Sequence, residues 1–133
     1  NNSKTNNIIV EEKNIFTADE LNKLKTLREN KFRMDLSEDE LGYKKGSHTL
    51  SHHLKGICYK TLCNYKFNIR ISAKIITGSD DPQIIDILVP KIEGYISNIK
   101  EKENSLNINS LFKNLPKEYH EYLQQIISKK EIL

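Results

Sequence analysis

Apolar residues recur with a helical period through the first third of the chain. Ala18, Leu21, Leu24 and Leu27 are spaced three apart, directly after Thr17. Thr17-Ala18-Asp19-Glu20 is a capping box, in which the Thr17 hydroxyl accepts from the N3 amide and Glu20 reaches back to the N-cap. Together these predict an amphipathic helix over 18–30. Ser37-Glu38-Asp39-Glu40 repeats the device and predicts a short helix over 38–45, carrying Leu41 and closed by Gly46. Ser47 then offers an N-cap for a third helix over 48–58. Its apolar stripe is Leu50, Leu54 and Ile57, and its opposite face carries His48, His52, Lys55 and Tyr59. Three helices, the second and third joined by a tight glycine-containing turn, outline a helix-turn-helix.

From Tyr65 to Ile75 the period becomes two. Tyr65, Phe67, Ile69, Ile71, Ala73 and Ile75 alternate with Lys66, Asn68, Arg70, Ser72 and Lys74. This alternation predicts a half-buried strand whose open face is basic. Its partners in a small sheet would be Ile8–Phe16, Ile57–Cys63, Leu106–Ile108 or a second subunit. Asp81 as N-cap and Pro82 at N1 then open a helix carrying Ile84, Ile85, Leu88, Ile92, Tyr95, Ile96 and Ile99. Pro90 removes a backbone donor inside it and is expected to kink or split it. The polar run Lys100–Ser105 ends this helix. A short turn follows near Asn109–Asn114, and Pro116 opens a last helix to about Lys130 with Tyr119, Tyr122, Leu123, Ile126 and Ile127 on its apolar face.

The fold expected from this pattern is α+β and mainly helical. It has an N-terminal three-helix, helix-turn-helix-like unit, one long strand in a small sheet, and two C-terminal helices. Its 133 residues make one domain, with a flexible tail over 1–7, the helix-turn-helix and strand unit over 18–77, and the C-terminal helices over 82–131.

Composition changes this picture little. The hydrophobic share of 37% and charged share of 29% are those of a globular chain. The longest apolar runs, such as Ile84–Val89, are far too short for a membrane span. The net charge of +3 permits an acidic partner without demanding one. Lysine, isoleucine and asparagine are all abundant, the bias that AT-rich codons produce, and only Arg28, Arg33 and Arg70 carry the bidentate fork that suits phosphate. The polar N-terminus does not read as a signal peptide. A cytoplasmic location is expected, or a secreted one if the absence of an initial methionine reflects a cleaved signal.

Candidate chemistry concentrates in Ser47–Thr77, which holds three of the four histidines and both cysteines. His48 and His52 share a helical face, and with Cys58 and Cys63 they would supply a tetrahedral zinc set. Their spacing matches no common structural zinc pattern, so the expectation is reduced, buried thiols and no metal or other cofactor. A catalytic constellation is not expected: glycines are scattered singly, and carboxylates cluster only at helix starts, where the macrodipole accounts for them. Basic side chains are the better candidates. Lys44, Lys45, His48, Ser51, His52 and Lys55 would face a duplex from the third helix, and Lys66, Arg70 and Lys74 would add a stripe along the strand.

The run Ser47-His48-Thr49-Leu50-Ser51-His52-His53-Leu54-Lys55 resembles the recognition helix of winged-helix repressors of the arsenic-repressor type, in which a similar run follows a short helix and precedes a β-wing. The resemblance implies a dimeric regulator that binds double-stranded DNA and dimerises through its C-terminal helices. The alternative expectation is a secreted or surface protein–protein interaction module, in which the long apolar helix and the unpaired strand receive a protein partner or a second copy.

Overall fold

The computed structural model describes residues 15–129, and every regular element among them is helical. They are α1 (Ala18–Glu29), α2 (Met34–Leu41), α3 (Thr49–Asn64), α4 (Ile69–Thr77), α5 (Pro82–Asn104), α6 (Asn109–Asn114), a 3-10 turn (Lys117–Tyr119) and α7 (His120–Ser128). The α+β expectation is therefore corrected to all-α, with no strand or sheet among the described residues. The expected tail over 1–7, most of the Ile8–Phe16 arm, and the end of the last helix at Lys130 lie outside the described residues.

The fold is built around α3. Its Leu50, Leu54, Ile57, Cys58, Tyr59 and Leu62 are completely buried, and α2, α4, α5, the 3-10 turn and α7 pack on it. Gly56 marks the closest approach, because a Cβ there would lie 2.2 Å from Cδ2 of Tyr119. A larger residue would push the 3-10 turn off the helix. α3 is also longer than its expected span of 48–58. It runs on through Cys63, so the Ile57–Cys63 strand candidate is its last two turns. Its N-cap is His48, at a left-handed φ of 61° and with no side-chain capping bond, rather than Ser47.

The strand expected over Tyr65–Ile75 is the largest correction. Lys66 and Phe67 both sit at left-handed φ and turn the chain sharply out of α3. Asn68 then accepts from the Ile71 amide at 2.9 Å as an N-cap, and Gly78 closes α4 at φ 66°. Between these caps the buried set is Ser72, Ala73, Ile75, Ile76 and Thr77, the face of a helix rather than alternate positions. Ile71, an inward position of the expected strand, is 41% exposed. Among the described residues a strand here would have no partner, whereas a helix satisfies its backbone groups within itself. The β-wing implied by the resemblance has no counterpart among the described residues. Leu106–Ile108, the last strand candidate, is the turn between α5 and α6.

The helix expected over 38–45 lies four residues earlier, at Met34–Leu41. Ser37 is not its cap: it is buried inside the helix and donates to the Arg33 carbonyl at 2.8 Å. Gly42, not Gly46, closes it, with the Tyr43 amide reaching the Glu38 carbonyl at 2.9 Å. α1 has the predicted capping box, Glu20 amide to Thr17 Oγ1 at 3.1 Å and Thr17 amide to Glu20 Oε1 at 2.8 Å. α5 has the predicted Asp81 cap but is not split at Pro90. Pro90 is on the exposed side, while Ile85, Leu88, Ile92, Ile96 and Ile99 keep one buried face on both sides of it. That stripe, and Leu123 and Ile126 of α7, are covered within the chain. None of the helices among the described residues is long and apolar enough to cross a membrane.

Candidate functional site

Two lines of side chains meet where α3 crosses α5. On α3, His48, His52, Lys55 and Tyr59 fall at i, i+4, i+7 and i+11, which aligns them along one face. On α5, Lys91, Tyr95, Asn98 and Lys102 have the same spacing. The lines run antiparallel. Lys55 Nζ lies 5.6 Å from the centroid of the Tyr95 ring, a cation–π distance. The Tyr59 and Tyr95 rings meet edge to face with centroids 6.5 Å apart. At one end Lys102 acts on Lys55, and at the other Lys91 acts on Cys58. The seam between the two helices, the furrow, carries cations along it and two tyrosines packed against each other.

Two groups of the furrow are held down by burial and by neighbouring positive charge. Burial, and then the charge of Lys102, hold the Lys55 ammonium below the ordinary lysine pKa. Burial, and then Lys55, His48 and His53, hold the His52 imidazole below its ordinary value. Among the described residues, none of the charges shifting either group is negative. Tyr59 adds a buried hydroxyl with no hydrogen-bond partner among the described residues, and burial raises its pKa so that it stays neutral. Like charges held together on a partly desolvated surface are stabilised by an anion.

The nine residues singled out in the sequence do not form one surface. His48, Ser51, His52 and Lys55 come together on the first two turns of α3. Lys44 and Lys45 lie in the preceding turn, and Lys45 lines a 290 Å³ depression together with Asp35, Glu38 and Asp39. Lys66 is in the left-handed turn after α3. Arg70 pairs across an exposed 3.4 Å gap with Asp86 near the start of α5, sixteen residues from Lys102 and so about 24 Å along the helix axis. Lys74 is half-buried in the last turn of α4. The basic stripe expected along a strand is therefore dispersed around a helix. Lys102, Tyr95 and Lys91 were not among the nine, although their i, i+4, i+7, i+11 spacing is visible in the sequence.

Among the described residues the thiols and carboxylates assemble no second site. Cys58 is completely buried and Cys63 donates to the Tyr122 carbonyl at 3.4 Å. Burial raises both thiols, Cys63 to about 12, so neither supplies a thiolate near neutral pH. No group of three or more potential metal ligands assembles among the described residues. Glu20 is buried and accepts from Lys60 Nζ at 2.8 Å and from the Tyr119 hydroxyl at 2.5 Å. That cluster ties α1, α3 and the 3-10 turn together and is closed to solvent. No protein-family model, curated protein or solved structure matches the chain.

Proposed function

We propose that this is a non-enzymatic nucleic-acid-binding protein whose contact surface is the α3–α5 furrow. The observation that carries the reading is the cluster of His48, His52, Lys55 and Lys102, in which the charges acting on Lys55 and His52 are all positive. Phosphates are the natural counter-ions for such a surface. Ser51 adds a hydroxyl beside them, and the unpartnered Tyr59 hydroxyl lies deeper in the same face. Because Leu54 to Leu62 anchor α3 in the core, the helix meets a polynucleotide side-on, through its first turns. Contacts of this kind hold the phosphate backbone and carry little base specificity.

Fluorescence anisotropy with labelled single-stranded and duplex oligonucleotides tests this. Affinity is expected to fall steeply with salt, with a slope near −0.9 for each phosphate held on a duplex, and a Lys55→Glu, Lys102→Glu pair lowers it by on the order of tenfold or more. Arg70→Glu, remote and already paired with Asp86, leaves it nearly unchanged. Absence of binding at low salt, or equal loss from Arg70→Glu, ends the proposal.

A further inference from the structure

The corner that leaves α3 repeats the corner that leaves α1. Residues 25–37, KTLRENKFRMDLS, and residues 60–72, KTLCNYKFNIRIS, align without a gap at a spacing of 35. Lys25, Thr26, Leu27, Lys31, Phe32 and Ser37 recur as Lys60, Thr61, Leu62, Lys66, Phe67 and Ser72. The geometry recurs with them. Lys31 and Phe32 stand at φ 53° and 62°, and Lys66 and Phe67 at φ 57° and 62°. The Phe32 amide donates to the Leu27 carbonyl at 2.7 Å, and the Phe67 amide to the Leu62 carbonyl at 2.7 Å. This bond, from the second residue past the cap to the third from the helix end, is the Schellman closure. Its left-handed position usually holds glycine, because a Cβ is costly there. Both corners hold an exposed lysine instead. Leu27 and Leu62 are completely buried. The next helix also opens alike, with Arg33 at φ −80°, ψ 113° and Asn68 at φ −84°, ψ 112°. The Ser37 and Ser72 hydroxyls, both completely buried, donate to the Arg33 and Asn68 carbonyls at 2.8 Å and 2.7 Å.

We infer that α1–α2 and α3–α4 are two copies of one helix–corner–helix unit, and that the Lys-Phe corner with its buried leucine and serine is the device that folds both. Self-similarity at a period of this length is the mark of a helical repeat. Two unrelated corners have no reason to share a costly left-handed pair of non-glycine residues, the same closing bond and the same buried serine. Outside the shared residues the copies have diverged. Thr17, Glu20 and Leu24 of the first correspond to His52, Lys55 and Tyr59 of the second, so the furrow face of α3 belongs to the second copy alone. The capping also differs: the Asn68 side chain accepts from the Ile71 amide at 2.9 Å, whereas Arg33 makes no side-chain cap. The inference does not depend on what the furrow binds.

Backbone chemical shifts and urea unfolding of the full chain test the equivalence of the two corners. Lys31, Phe32, Lys66 and Phe67 are all expected to show the shifts of left-handed residues. Lys31→Gly and Lys66→Gly each remove a Cβ from the same position of the unit, and each is expected to raise the folded-to-unfolded ratio by about fivefold. Arg33→Asn gives the first copy the cap of the second and is expected to raise the ratio by a similar factor of about five. Right-handed or extended shifts at any of the four residues would overturn the inference. So would glycine substitutions of opposite sign in the two corners, or an Arg33→Asn variant less stable than the wild type.

Discussion

Glu20 shows how much one side chain can hold in this chain. Burial alone would raise its carboxyl pKa, but hydrogen bonds from Lys60, Tyr119 and the Thr17 amide outweigh it and leave the pKa below the ordinary value of 4.5. Removing the carboxylate leaves the Lys60 ammonium and the Tyr119 hydroxyl without their acceptor. Glu20→Ala is therefore expected to cost about 3 kcal/mol in urea unfolding at neutral pH. The sign of the pH dependence follows from the depressed pKa. The carboxylate's stabilisation is fully present above 4.5 and is lost as pH falls through the lower folded-state value. The stability gap between wild type and Glu20→Gln should accordingly narrow in acid, and a gap that stays constant down to about pH 3 would count against this account. In the sequence Glu20 reads only as the N3 member of a capping box. Its other partners, 40 and 99 residues away, leave no local trace.

At the scale of elements, boundaries were legible where a cap is local and specific. Thr17 with Glu20 and Asp81 with Pro82 define the starts of α1 and α5 in both sequence and structure. Ser37 and Ser47 resemble caps, but Ser37 is used inside α2 and His48 takes the cap position of α3. α4 was misread because its β-branched residues favour an extended chain, while the evidence for a helix was tertiary: Ile76, which breaks the alternation, is completely buried. α5 supplies a clean test of packing against propensity. Pro90 is exposed and interior to a continuous helix, so it costs a backbone hydrogen bond that the buried stripe offsets. Pro90→Ala should raise stability by about 1 to 3 kcal/mol in thermal unfolding. A destabilised variant would mean that the proline shapes the α4–α5 contact.

For the whole molecule, the furrow joins residues from two helices that are far apart in sequence, and its chemistry should respond to pH as a unit. His52 is held below its ordinary pKa of 6.5 by burial and then by Lys55, His48 and His53, so it is neutral at physiological pH. A bound phosphate raises that pKa, a proton is taken up on binding, and affinity grows as pH falls. Oligonucleotide binding should strengthen between about pH 7.5 and about pH 5.5, and His52→Asn should flatten the dependence. A pH-independent affinity, with binding otherwise intact, would place the contact away from this cluster. The sequence did place His48, Ser51, His52 and Lys55 on one face. It could not show that Lys102 would join them, that Arg70 would pair with Asp86 about 24 Å along α5 from Lys102, or that Lys45 would share a depression with carboxylates of α2.

The sequence by itself determined the helices with a strong local period and cap, one polar, histidine-bearing face on α3, and the stripe along α5. Those features depend on residues three or four apart, so a short window contains them. Tertiary structure decided that 69–77 is a helix and that α3 is a core element over most of its length. It also decided which charges converge. Backbone pairing and desolvation are settled by contacts between distant segments, and the same run of alternating residues serves a strand or a helix according to what packs against it.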